Sequence, residues 1–149
     1  MKIEIANIED VPELLELQYK AFRPVAESLN WLDAPNLTET VEHARGEFPK
    51  YTTLKMLSDD GKIVGSVRGR VEDGSLYIGR LMVLPEFLKN GYGRILLRKI
   101  QSVLPHSRAW LDTSGDVPET VSFYEGEGFR TFENKRFENG VSWIFMEKK

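Results

Sequence analysis

Along this chain the apolar positions change period several times, and each change marks an element. Residues 2–6 alternate charged and apolar side chains, as a half-buried strand does. Asp10-Val11-Pro12-Glu13 then has the form of a capping box, in which Asp10 accepts from a first-turn amide and Glu13 reaches back. Val11, Leu14, Leu15 and Phe22 recur at helical spacing, and Pro24 predicts the end of that helix. Residues 23–37 read as a loop or broken helix. Val41, Ala44 and Phe48 predict a second helix over 38–48, stopped by Pro49. Three β-rich runs follow at 51–57, 62–71 and 76–84. Asp59-Asp60-Gly61 and Glu72-Asp73-Gly74 separate them at hairpin spacing, which predicts an antiparallel meander.

Beyond residue 84 the pattern turns to alternating helix and strand. Gly91-Tyr92-Gly93 opens a helix with Leu96, Leu97, Ile100 and Leu104 on one face, closed by Pro105. Residues 108–113 read as a short strand. Asp116-Val117-Pro118-Glu119 is a second capping-box pattern, and Val121 and Tyr124 carry a helix towards Gly126 and Gly128. Residues 129–137 and 141–146 predict a closing hairpin across Glu138-Asn139-Gly140. No repeat, low-complexity stretch or linker interrupts this order, so a single domain over 1–149 is expected.

Composition narrows the chemistry. The chain has no cysteine, which excludes disulfides, thiolate zinc sites and a cysteine nucleophile. A net charge of −3 and a pI near 5.5 give no general footprint for nucleic acid. No apolar run approaches the roughly 18 residues needed to span a bilayer. Residues 1–5 lack the basic-then-apolar run of a signal peptide, so a soluble, cytoplasmic protein without membrane contact is expected. His43 and His106 are the only histidines and have no metal-ligand spacing, so no metal is expected.

The clearest candidate chemistry lies at the start of the helix after the meander. A helix start carries amides without intrahelical partners and the positive end of the macrodipole, and Gly91 and Gly93 let an anion approach the backbone. Lys89 and Arg94 add positive charge. On the glycines alone, a phosphate cradle and ordinary turn chemistry both fit. A dinucleotide-binding fingerprint is the rival. Leu96 stands at its third glycine position, and the loop from Val83 to Gly91 is too long for its tight turn. Neither a P-loop nor a Gly-x-Ser-x-Gly elbow occurs.

Two motifs at this separation give the chain a family resemblance. Pro85-Glu86-Phe87-Leu88-Lys89-Asn90-Gly91-Tyr92-Gly93 is similar to an Arg/Gln-x-x-Gly-x-Gly/Ala loop, and Phe123-Tyr124-Glu125-Gly126-Glu127-Gly128-Phe129 to a Tyr-Glu-x-x-Gly-Phe signature. With the element order, they make nearly the whole chain resemble the GNAT superfamily of acetyl-CoA-dependent N-acetyltransferases. The resemblance implies an α/β fold with a mixed, mostly antiparallel central sheet. That sheet is splayed near Leu81, Met82 and Val83 and flanked by about four helices. It implies acetyl-CoA as co-substrate, with Leu81, Met82 and Val83 along the pantetheine arm. It places Leu88, Lys89, Asn90, Gly91, Tyr92, Gly93 and Arg94 at the pyrophosphate and Thr120 near the cofactor. Leu88 stands where the signature has Arg or Gln, which removes one side-chain donor and leaves the amides. Thr120 stands where many members carry Asn.

The resemblance also gives Tyr124 a role. A tyrosine of ordinary pKa about 10 can protonate a leaving thiolate whose conjugate acid lies near 8.5, so Tyr124 is the expected general acid. Without a cysteine or serine nucleophile, direct attack by a primary amine on the thioester is expected. Glu27 is the expected base, with Glu72 and Asp112 as further candidates, and each also reads as an ordinary solvated carboxylate. Glu27, Trp31 and Asp33 together suggest an acceptor lip for a cationic amine. Arg68 and Arg70 share one strand face, an arrangement that either steers an acidic substrate or pairs with nearby carboxylates, and the pairing is expected. The acceptor, a small molecule or a peptide, is not named by the sequence. The apolar final strand suggests a homodimer contact. A CoA-binding regulatory module without turnover is the alternative reading.

Overall fold

The computed structural model describes residues 1–149, in which seven strands form one sheet. They are β1 (Lys2–Ile5), β2 (Thr52–Leu57), β3 (Ile63–Glu72), β4 (Ser75–Val83), β5 (Arg108–Ser114), β6 (Arg130–Arg136) and β7 (Ser142–Lys148), in the spatial order β1-β2-β3-β4-β5-β7-β6. The predicted meander is present, with β2, β3 and β4 antiparallel in turn. The expected mixed, mostly antiparallel sheet is also present, and its one parallel pairing joins β4 to β5.

Alternation along β3 sorts the helices to opposite faces. The Cβ positions of Gly65 and Gly69 abut Leu96, Ile100 and Leu104, so the odd residues face α4 (Tyr92–Val103). The even residues Ser66 and Arg68 border the same pocket as Leu14, Leu15 and Gln18 of α1 (Val11–Ser28), on the other face. Leu96, Leu97 and Ile100 are fully buried, and burying each stabilises the packing by roughly 1.5–3 kcal/mol. No helix is long and apolar enough to cross a membrane.

Several element ends differ from expectation, each for a local reason. The first capping box lies one turn earlier: Asn7 accepts from the Glu9 amide while Asp10 accepts from the Asn7 amide. Glu13 instead accepts from the Ile63 amide at 2.8 Å and ties α1 to β3. Pro24 does not end α1, which continues to Ser28. The missing N–H frees only the carbonyl of Lys20, an exposed residue that water can serve, while Ala26 is buried beyond the proline. The predicted second helix is α3 (Val41–Glu47), which starts three residues later than expected, and the stretch read as a loop or broken helix holds a further short helix, α2 (Pro35–Thr38). The break between them turns the Glu39 side chain inward, and Thr40 caps α3 by accepting from the His43 amide. Finally, α5 (Pro118–Gly126) has no side-chain cap, because Asp116 accepts from the Ser142 amide at 2.8 Å and fastens β7 instead.

Candidate active site

The parallel seam between β4 and β5 is short. Pairing covers Ser75, Leu76 and Tyr77 against Arg108, Ala109 and Trp110, and then stops. Just beyond, the β3–β4 register slips, so that Arg80 and Leu81 together oppose Val67. Arg80 takes a left-handed φ of 50°, unusual for a side chain of its size. Such a bulge bends its strand, and β4 turns away from β5. Each strand therefore keeps one edge without a strand partner above the seam, and a cleft of about 380 Å³ opens between them.

The cleft is walled by both strands, by Phe22, Trp31 and residues 34–36 from the helical side, and by Phe137 and Trp143 from the closing hairpin. Trp31 packs edge-on to Trp143 at 6.2 Å and lies 5.7 Å from Phe137. Asp112 points into this aromatic surround. Its carboxylate accepts from the Tyr77 hydroxyl at 2.8 Å and from Trp143 Nε1 at 3.0 Å. Burial and then the Asp112 charge push the Tyr77 pKa above its usual value. Tyr77 is thereby kept a donor.

Tyr124 is on the wall of the same cleft. A Schellman motif fixes it: the Phe129 amide donates to the Tyr124 carbonyl and the Gly128 amide to that of Glu125, both at 3.0 Å. This closure needs Gly128 at φ +94°, and it brings the Phe129 ring within 6.1 Å of Tyr124. The Tyr124 hydroxyl bonds to no protein atom. Burial, and secondarily Asp112, raise its pKa above the ordinary value expected from the sequence, so it holds its proton across the neutral range and is a weaker acid than a free tyrosine.

At the start of α4, Lys89 and Gly91 take left-handed φ values of 65° and 80°. None of the six backbone N–H groups from Lys89 to Arg94 donates within the protein. Asn90 holds the loop through bonds to the Phe87 and Leu88 carbonyls. Amides without partners at a helix start suit a pyrophosphate, and the donor set fits the group the loop motif implies. Leu88 is exposed and adds no donor. The Arg94 side chain is directed to Glu127 at 3.3 Å, beside the Arg98–Glu127 pair. Tyr92 packs on Phe87, Gly93 approaches Phe123, and Thr120 lies in the first turn of α5.

The structure gathers Leu81, Asp112 and Tyr124 around the cleft, with Met82 and Val83 buried just beyond. Glu27 does not join them; it is exposed in the last turn of α1, and Asp33 and Glu72 are exposed as well. Tyr77, Arg80 and Trp143 carry no sequence motif. The only signal for Tyr77 is alternation, which buries Leu76 and Ile78 on the face opposite to it. Arg68 and Arg70 also depart from expectation, because neither makes an ion pair. Arg68 lies over the Tyr51 ring at 4.0 Å and Arg70 at 5.2 Å, where the ring face attracts a cation.

Comparison with known proteins agrees with this architecture. A PaiA N-acetyltransferase from Thermoplasma acidophilum, solved with coenzyme A, superposes with a TM-score of 0.80 at 19% identity, covering 100% of this chain and 99% of that one. A phosphinothricin acetyltransferase from Sinorhizobium meliloti, solved with AcCoA, gives 0.76 at 17% identity over 99% and 86% of the two chains. A ribosomal-protein-alanine N-acetyltransferase from Brucella melitensis gives 0.75 at 18%, over 99% of each. At these identities the likeness is one of fold. The sequence match is to the acetyltransferase (GNAT) domain, over residues 33–149. It takes in the cradle, the splayed strands and the Tyr124 helix, and by it this chain belongs to the GNAT acetyltransferases and is an acyltransferase.

Proposed function

We propose that the protein transfers an acetyl group from acetyl-CoA to a primary amine held in the cleft between β4 and β5. The observation that carries this reading is the seam that opens beyond Tyr77. It leaves a backbone edge on β4, the six unpartnered amides at the start of α4, and Tyr124 on the cleft wall. Bound acetyl-CoA supplies the acetyl group as an activated thioester. The amides of Lys89–Arg94 hold the pyrophosphate, and the free edge of Leu81, Met82 and Val83 pairs with the pantetheine arm as an added strand would. Asp112, rather than the exposed Glu27, is the base: it takes the ammonium of the acceptor and draws off its proton, directly or through one water. As the nitrogen bonds to the carbonyl carbon and the C–S bond breaks, Tyr124 would give its proton to the sulfur and recover one from the second N–H that the nitrogen loses. The aromatic walls exclude water, which keeps hydrolysis from competing.

The test is a calorimetric titration with acetyl-CoA, with NADH as the control ligand, followed by an assay of thiol release across a panel of amines. Acetyl-CoA is expected to bind selectively and to release thiol only when an amine is present. Failure to bind acetyl-CoA removes the reading at its base. Binding without release for any amine replaces it with a CoA-binding module.

A further inference from the structure

Arg68 and Arg80 both border the cleft. Arg68 makes no hydrogen bond and no ion pair, and its Nε is buried without a partner. Arg80 Nε is likewise buried and unpartnered, and its terminal Nη2 reaches only Glu39, at 3.5 Å. Glu39 is already engaged by Gln18 at 2.9 Å and by His43 at 2.7 Å. Burial pushes its pKa up, but these bonds and the charge of Arg80 outweigh that and hold it below the usual value. Its one negative charge therefore serves several partners. Both guanidinium groups are half-buried with an unpartnered Nε, Arg68 stacked on the Tyr51 ring without an anionic partner and Arg80 sharing Glu39, so a further anion entering the cleft has two donors to meet. Burial and the like charge of Arg80 accordingly lower the pKa of Arg68.

Across the cleft the sign reverses at Asp112. Tyr77 stands between, with its hydroxyl on Asp112 and its ring 6.5 Å from the Tyr51 ring that carries Arg68. The cleft is thus positive at one end, negative at the other and aromatic along its sides. Its volume of about 380 Å³ lies in the range of small-molecule sites and is too small for a folded domain.

We propose that the acceptor is a small amine that also carries a carboxylate, with the carboxylate on Arg68 and Arg80 and the amine directed to Asp112. This rests on the acetyl-transfer reading above and names the substrate class within it. The planar fork of arginine suits a carboxylate bidentately, and an acceptor held at both ends is oriented as well as bound. Amines without a carboxylate leave the guanidinium groups unpaired, a penalty that sites built for a polar partner convert into discrimination.

The test uses amino acids whose amine and carboxylate are separated by one to five carbons, the matching carboxamides, and the amines that lack the carboxylate. The carboxamide has the more acidic ammonium, so a preference for the acid cannot arise from an easier loss of the proton. Wild-type protein is expected to favour the acid by about tenfold or more in kcat/KM, consistent with a charge-assisted contact. In Arg68→Gln the KM for the acid rises by about that factor while the KM for acetyl-CoA and the melting temperature stay in place. Arg68→Lys recovers part of the loss, because it keeps the charge but not the fork. The unchanged melting temperature reports that Arg68→Gln is folded.

Tryptophan fluorescence, from Trp31 and Trp143 in the cleft wall, reads binding of the same compounds without turnover and without acetyl-CoA. Saturable quenching by the acids that Arg68→Gln abolishes supports the proposal, even where acetyl-CoA binding fails and the transfer reading falls. Carboxamides or plain amines that bind and react as well as the acids overturn the proposal and leave acetyl transfer standing. A C-terminally amidated peptide acetylated faster than every free acid also overturns it and makes the acceptor a polypeptide.

Discussion

Gly128 carries no functional group, yet the direction of the Tyr124 side chain depends on it. The left-handed turn at φ +94° lets the Phe129 amide cap the Tyr124 carbonyl. A Cβ added there would stand 3.2 Å from Lys148 Cε. The Tyr-Glu-x-x-Gly-Phe signature thus records a helix ending as much as a chemical group. Removing only the hydroxyl isolates the chemical part. Tyr124→Phe is expected to lower kcat by about a hundredfold, the lower end of what a general acid contributes, with the KM for acetyl-CoA and the melting temperature unchanged. Steady-state kinetics with a thermal melt checks this. A full rate in Tyr124→Phe would remove the acid role. Tyr124 was legible because its neighbours in sequence form its setting. Asp112 was legible only as one carboxylate among several, because the donors that mark it out, Tyr77 and Trp143, lie 35 and 31 residues away. Nothing local to Glu27 shows that the end of α1 leaves it in solvent.

Strand and helix content followed closely from periodicity, whereas the ends of helices did not. Asp10 shows why. Its spacing to Glu13 fits a capping box, but Lys55 of β2 reaches its carboxylate at 2.8 Å and the Asn7 amide does so at 2.9 Å. A sheet residue 45 positions away in sequence decides what that side chain does. The same pair gives the start of α1 a pH dependence. Burial raises the Asp10 pKa, but the bonds from Lys55 and Asn7 and the charge of Lys55 outweigh it, so the folded value lies below the usual 3.8. A depressed carboxyl contributes its stability fully above the unfolded value and loses it as pH falls through the folded one. Asp10→Asn is therefore expected to melt a few degrees lower than the wild type at pH 7. The two are expected to converge as pH drops below 3.8, and thermal melts across a pH series read the difference. A gap that persists at low pH would assign the effect to shape rather than charge. Pro24 makes the complementary point: a residue that breaks helices in isolation is tolerated where the freed carbonyl meets water and Ala26, in the turn beyond it, is buried.

At the scale of the molecule, strand order was the part the sequence withheld. Turns at 59–61 and 72–74 determine the meander because hairpins join neighbours, but no local pattern tells that β7 inserts between β5 and β6. The splay follows from that order and from the bulge at Arg80, so its position was accessible only through family likeness. The result is a sheet whose halves, β1–β4 and β5–β7, meet directly along three residue pairs. A ligand lying along both free edges joins the halves. Binding to the native state alone stabilises by about 2.7 kcal/mol at a hundredfold excess over Kd. The melting temperature is therefore expected to climb with the logarithm of acetyl-CoA concentration and to ignore NADH, as differential scanning fluorimetry reads; a flat response would place the ligand elsewhere. The short seam also sets how the chain is destroyed. Unpaired backbone at a strand edge can pair with an extended chain instead, so limited digestion of the empty protein is expected to cut beside the seam, and acetyl-CoA is expected to slow that cut.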